Sequence, residues 1–195
     1  MTSDQAAGTS AVDVVAAGAL IAAAFADLPT AQWLVADRDL RVRLLGEQFS
    51  WFAEHGLKHG VVHTIGDEAV AVWFDNTADA PWIDRYDERL DALVGDRHPR
   101  FAMLDATFAE HHPHGPHFHL ALLATRPDRQ GTGLGARLLE RQLARLDEAG
   151  VAGYLEAAEP RSAALYARYG FEPLGEPFHL PEDGPPMFPM WREPR

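Results

Sequence analysis

Leu122-Leu123-Ala124-Thr125-Arg126-Pro127-Asp128-Arg129-Gln130-Gly131-Thr132-Gly133-Leu134-Gly135-Ala136 reads as the end of a strand, a turn and the start of a helix. Upstream, Phe118 to Thr125 is a nearly continuous apolar run, which suits a central strand covered on both faces. Downstream, Leu134, Leu138, Leu139, Leu143 and Leu146 recur at helical spacing, and Gly150 supplies a stop. Between the two, Gly131, Gly133 and Gly135 permit positive φ and let a ligand approach the backbone closely. Successive N–H groups there, with the unpaired N–H groups and positive dipole end of the helix, outline a pyrophosphate site with Arg126, Arg129 and Arg137 nearby.

The same reasoning extends along the chain. Apolar residues from Val12 to Ala26 predict a helix ended by Asp27-Leu28-Pro29, followed by a loop carrying Gln32 and Trp33. Leu40, Leu44, Leu45, Phe49 and Phe52 mark one face of a second helix closing near Gly56. Two apolar runs, 61–65 and 69–74, flank Gly66-Asp67 as a hairpin. Residues 75–116 are acidic and punctuated by proline; helices around Tyr86–Val94 and Phe101–Glu110 make them a helical insertion near a site. A strand Val151–Glu156, a helix Arg161–Tyr169 and strands near Phe171–Gly175 and Met187–Trp191 complete the pattern. Residues 1–10 read as a frayed terminus, and 11–195 as one domain.

Composition removes several function classes. The chain of 195 residues has no cysteine, so a disulfide framework, a cysteine-bound zinc and a cysteinyl acyl-enzyme are excluded. A formal net charge of −12 repels nucleic acid and anionic membrane surfaces and attracts a cationic substrate. The alanine-rich stretch Ala11–Ala26 is too short for a membrane span and is interrupted by Asp13, so the expectation is a cytoplasmic protein. Homodimerisation is compatible with the sequence. The histidines at 111, 112, 114, 117 and 119 are separated by prolines and lack a metal-ligand spacing, so no metal is expected.

Among nucleotide sites, a P-loop needs Gly-Lys-Ser/Thr, which does not follow Gly135. A dinucleotide fingerprint fits Gly131-x-Gly133-x-x-Ala136, with Glu156 as a ribose-binding acid, and leaves an oxidoreductase as an alternative. Its position late in the chain argues against it, because too little sequence follows for a long parallel sheet. The third reading rests on two motifs. Gln130-x-x-Gly133-x-Gly135, preceded by Pro127, and Leu165-Tyr166-Ala167-Arg168-Tyr169-Gly170-Phe171 together resemble the GNAT superfamily of N-acyltransferases. Glu159 and Ser162 depart from the asparagine and alanine common in the second motif. Segments 22–29, 69–73, 127–135 and 155–161 further resemble puromycin N-acetyltransferase and its actinobacterial relatives, over about residue 12 to the end.

The resemblance implies an α/β (α+β) fold: a mixed, mostly antiparallel sheet of six or seven strands, splayed at its centre and flanked by helices. It implies acetyl-CoA as co-substrate and an amine of a small molecule, such as an antibiotic or related metabolite, as acceptor. Leu123, Ala124, Thr125, Arg129, Gln130, Gly131, Thr132, Gly133, Leu134, Gly135 and Ala136 then line the coenzyme site, with backbone N–H groups of 123–125 polarising the thioester carbonyl. Tyr166 takes the general-acid position for the leaving thiolate. For the amine, His119 and Glu156 are rival bases, with Asp105 and Glu110 of the insertion as lesser candidates, His117 shares a strand face with His119, and Trp33 is placed to stack on the acceptor. A coenzyme A-binding sensor without transferase activity is the non-enzymatic alternative.

Overall fold

The computed structural model describes residues 12–195, so the expectation for residues 1–10 lies outside the described residues. Helix α1 (Val14–Phe25) starts where the Asp13 carboxylate accepts from the Val15 and Ala16 N–H groups, at 3.0 and 3.1 Å. The segment expected as a loop contains a short helix, α2 (Pro29–Leu34). Pro29 stops α1 and also starts α2, because a first-turn proline lacks only an N–H that would be unpaired anyway.

Helix α3 (Arg38–His59), capped by Asp37, runs past the expected stop at Gly56. A Cβ at Gly56 would lie 2.8 Å from Val72 Cγ1, so that glycine serves close helix–sheet packing and the helix ends only at Gly60. Helix α1 packs against α3 in the same way: a Cβ at Gly18 would come within 2.3 Å of the Gly46 carbonyl oxygen. Gly18→Ala is therefore expected to destabilise the fold by about 1–3 kcal/mol, read as a lowered Tm in thermal unfolding.

Strands β1 (Gly60–Ile65) and β2 (Ala69–Asp75) form the expected antiparallel hairpin. Helices α4 (Tyr86–Val94) and α5 (His98–His111) fill the insertion, and β3 (His117–Thr125) leads into α6 (Leu134–Ala149). Then come β4 (Ala152–Ala157), α7 (Pro160–Ala167), β5 (Glu172–Pro173), β6 (Phe178–His179) and β7 (Pro186–Arg192). The strand order is β1-β2-β3-β4-β7-β5, with β6 paired to β7. Every pairing is antiparallel except β3–β4.

Strand β2 shows why the sheet is sandwiched. Ala69, Ala71 and Trp73 pack against the leucines of α6, while Val70, Val72 and Phe74 pack on the other face with Ile21 and Ala53 from α1 and α3. A third core, including Leu44, Leu45, Tyr86, Leu90 and Phe101, joins α3 to the insertion helices. At the far edge, Arg192 is 4% exposed and bonds both Asp147 carboxylate oxygens, at 2.7 and 2.8 Å, tying β7 to α6.

Two irregularities open the sheet at its centre. Strands β3 and β4 pair only at His117–Ala152, Phe118–Gly153 and His119–Tyr154, after which they diverge. On the other side of β3 the register with β2 shifts between Val72–Leu122 and Trp73–Leu120, which makes Ala121 the extra residue of a bulge. The β4-facing edge of β3 from Leu120 onward is thus left without a strand partner, where α6 begins.

Candidate active site

The divergence of β3 and β4 opens one end of a cavity of about 2130 Å³. Leu123, Ala124, Thr125, Gln130, Gly131, Gly133, Leu134, Gly135 and Ala136 line it on the β3–α6 side. Gly131 and Gly133 have φ of +78° and +84°, and nothing lies within 4 Å of where a Cβ would be on either. Gly133 caps α6 without a side-chain hydrogen bond, so the first N–H groups of the helix remain free to point at an anion. Gly135 lies beside the Thr125 hydroxyl, which sets that helix end against the open edge of β3.

Two residues expected here have other partners. Arg129 Nε is 2.6 Å from Glu68, so its charge is held on the β1–β2 turn, and it does not line the cavity. The Thr132 hydroxyl donates to the Arg129 carbonyl at 2.6 Å, bracing the turn and not facing the cavity. Arg126 is likewise paired, with Asp67 and Asp128. Four other arginines line the cavity, Arg38, Arg85, Arg161 and Arg168, the last two from the start of α7 and its C-cap, where glycine-loop reasoning did not look.

Deeper in, the rival bases prove to be one unit. His119 Nε2 is 2.8 Å from Glu156 Oε2, across the point where β3 and β4 part. The Glu156 side chain is 3% exposed and that of His119 is 15% exposed, so the histidine faces the cavity and the carboxylate stands behind it. Burial opposes ionisation of Glu156, but the adjacent His119 holds its carboxyl below the usual range. An ionised Glu156 accepts the Nε2 proton of neutral His119, which puts the free lone pair on Nδ1; that atom makes no hydrogen bond among the described residues.

A second tier holds this pair. His117 Nδ1 is 2.9 Å from the Gly115 carbonyl, which fixes its proton there and leaves Nε2 as acceptor. Asn76 Nδ2 reaches His117 Nε2 at 3.2 Å and His112 Nε2 at 3.1 Å, donating to both. His112 then carries its proton on Nδ1, which stands 4.0 Å from Glu156 Oε1. Burial and the neighbouring imidazoles push His112 down to about 4, and burial also lowers His117, so both are neutral donor-acceptor groups near pH 7. The Tyr154 hydroxyl and Glu156 Oε1, both buried without a hydrogen-bond partner, lie in the ring of His112, His117 and His119.

His117, expected to touch substrate, lines the cavity but is 1% exposed, with Nδ1 on the Gly115 carbonyl and Nε2 accepting from Asn76. Trp33 is also placed differently from expectation. It does not line the cavity, and Arg100 covers its ring at 4.6 Å while donating to its carbonyl. The short helix α2 turns that ring into the packing between α5 and the 178–187 segment. Tyr166, by contrast, lines the cavity, its ring edge-on to Phe171 at 6.0 Å, and burial raises its phenol so that it stays protonated. His111 stacks on Phe178, away from the other histidines, and no group of His, Asp or Glu among the described residues has a metal-holding arrangement.

The GNAT acetyltransferase domain model matches residues 61–193, from β1 through β7. The chain belongs to the GNAT acetyltransferase family. A structure from Corynebacterium glutamicum, described as histone acetyltransferase HPA2 and related acetyltransferase, is 28% identical, with 95% of this chain and 93% of that one covered and a TM-score of 0.69. The C-terminal condensation domain of Ebony, in complex with beta-alanyl-dopamine, shares the fold at 17% identity, 91% and 92% coverage and a TM-score of 0.60. So does a GCN5-related N-acetyltransferase from Rhodopseudomonas palustris, at 12% identity, 93% and 89% coverage and a TM-score of 0.54. The dinucleotide-fingerprint alternative is set aside: the sheet is mostly antiparallel, and the glycine turn belongs to a GNAT acetyltransferase. Among the described residues no helix is long and apolar enough to cross a membrane.

The GNAT cavity also holds Asp105 of α5, whose carboxyl burial pushes up to about 6. A raised folded-state pKa favours the fold below the unfolded value near 3.8, and that advantage is lost as pH rises through about 6. Asp105→Asn is therefore expected to be more stable than wild type at pH 8 by about 1–2 kcal/mol, after discounting for partial exposure, with the difference vanishing below pH ~4. Denaturant unfolding at the two pH values checks this; equal stabilities at pH 8 contradict it.

Proposed function

We propose that this N-acetyltransferase moves an acetyl group from acetyl-CoA directly to the amine of a small molecule. The observation that carries the reading is the His119–Glu156 pair, in one cavity with the open β3 edge, the bare start of α6 and Tyr166. Acetyl-CoA supplies a thioester already activated for acyl transfer. The residues present fit it: free N–H groups at the start of α6 and the glycine turn suit its phosphates, and the unpaired β3 edge suits the pantetheine arm.

The rest is done by this chain's own groups. The open edge of β3 near the Ala121 bulge offers main-chain N–H donors to the carbonyl oxygen, where charge develops. His119 Nδ1 takes a proton from the acceptor ammonium or from the nitrogen as it attacks, and Glu156 stabilises the imidazolium that forms. As the carbon–sulfur bond breaks, Tyr166 donates its hydroxyl proton or hydrogen bond to the sulfur. No protein nucleophile is required. The resemblance to puromycin N-acetyltransferase and its relatives favours an amino-bearing antibiotic or related metabolite as acceptor.

Calorimetric titration with acetyl-CoA tests the coenzyme half of this reading. Wild type is expected to bind, and Gly133→Val to bind about tenfold more weakly or worse, because a β-branched residue at φ +84° strains the turn that shapes the anion site. Equal affinity in the two proteins, or no binding by wild type, overturns the placement.

A further inference from the structure

Helix α5 and its C-cap turn one stripe of residues toward the cavity: Asp105, Phe108 and Ala109 of the helix and His112 just past its end, at helical spacing. His112 stands beside Glu156, and Asp105, two turns back, is about 10 Å from His112 along the helix axis. An aromatic wall spans the interval. The Phe74 ring is 6.1 Å from His119 and 5.9 Å from Trp82, and Trp82 is 5.8 Å from Tyr86. Gln48 donates to the Tyr86 hydroxyl at 2.8 Å, and Tyr86 and Asp105 line the same cavity.

Two cavity arginines are already engaged: Arg38 pairs with Asp27 and Arg85 with Glu88. No ion pair among the described residues includes Asp105. The cavity thus offers a carboxylate that pairs with no cation among the described residues, and Trp82, which lines the same cavity, keeps 54% of its surface exposed. A carboxylate next to aromatic faces is a setting that recognises an ammonium group.

We propose that the acceptor is at least a dication, with Asp105, in the same cavity as Tyr86 and Trp82, holding a second cationic group about 10 Å from the amine that receives the acetyl group. This rests on the reading of the cavity as an N-acetyltransferase acceptor site. The distal cation orients the molecule along the aromatic wall and presents its other nitrogen to His119. A monoamine of the same length satisfies the His119 end and leaves Asp105 without its counter-charge.

The test uses heptane-1,7-diamine, whose extended nitrogen–nitrogen span matches the interval, against n-heptylamine. Each is titrated calorimetrically into wild type and Asp105→Asn saturated with coenzyme A, and each is assayed with acetyl-CoA for thiol release. The diamine is expected to bind wild type about tenfold tighter than the monoamine, a charge-assisted contact's worth. Asp105→Asn should erase that preference while leaving monoamine binding unchanged, which also reports an intact fold. Equal binding of both amines to wild type, binding of neither, or a preference that survives Asp105→Asn overturns the proposal. Asp105-dependent binding of the diamine without acetylation of it leaves the cation site standing and instead counts against the N-acetyltransferase reading.

Discussion

Replacing His119 with alanine is expected to lower kcat/KM for the amine by about 10²–10⁴-fold, the range for removal of a positioned general base, while acetyl-CoA affinity stays near wild type. The reason lies in the pair's geometry. His119 is the more exposed partner and leaves Nδ1 free, whereas Glu156, at the cavity wall, is nearly enclosed. Glu156→Gln should be comparably severe although it is isosteric. A glutamine can offer its NH2 to His119 Nε2, which moves the imidazole proton to Nδ1 and removes the lone pair from the position where it is needed. Steady-state kinetics on both variants, and on the double variant, checks this. Because the two act as one unit, the double variant should be little worse than either single one. An active His119→Ala enzyme removes the pair from the mechanism.

The second large effect is expected from Tyr166→Phe: kcat and kcat/KM should fall together by about 10–100-fold, with the KM for acetyl-CoA little changed. Tyr166 lies in the same cavity, and its raised pKa keeps a proton on the phenol at any working pH. A group that acts only as the thiol leaves is felt in the transition state and not in coenzyme binding. The variant keeps the ring that packs edge-on to Phe171, so a purely structural role predicts near-normal turnover.

How much of this was legible in the sequence depended on how local the signal was. The strand–turn–helix of β3 and α6 is written in contiguous residues, as are the β1–β2 hairpin and the two insertion helices, and each stands close to its expected place. The short α2 was missed because six residues are too few to show helical periodicity, and with it went the placement of Trp33. Gly56 read as a stop because a glycine inside a helix looks the same in sequence whether it ends the helix or admits a neighbouring strand. The bulge at Ala121 exists only in the register between strands and has no local mark.

His119, Glu156 and Tyr166 were each marked singly in the sequence and line one cavity, but the pairing of the first two is a product of the parallel β3–β4 contact. Asn76, His112 and Tyr154 come from three separate segments, and only the folded chain brings them to one carboxylate. Asp105 was marked in the sequence as a lesser base candidate, and His112 left a trace beside it. The two stand seven residues apart with Phe108 and Ala109 between, a stripe that runs along α5 to its C-cap with a polar residue at each end. Arg129 shows the reverse: a cation beside a glycine turn invites a phosphate, yet the nearby Glu68 takes its charge.

The measurement that bears most directly on the central claim is release of coenzyme A thiol from acetyl-CoA, followed with a disulfide reagent across aminonucleosides, aminoglycosides, polyamines and amino acids. The chain has no cysteine, so the protein contributes no thiol background. Amine-dependent release, matched by one acetylated amine per thiol and lost in His119→Ala, is the predicted result. Acetyl-CoA binding with no amine-dependent release from any of these classes, or release that persists in His119→Ala, contradicts it.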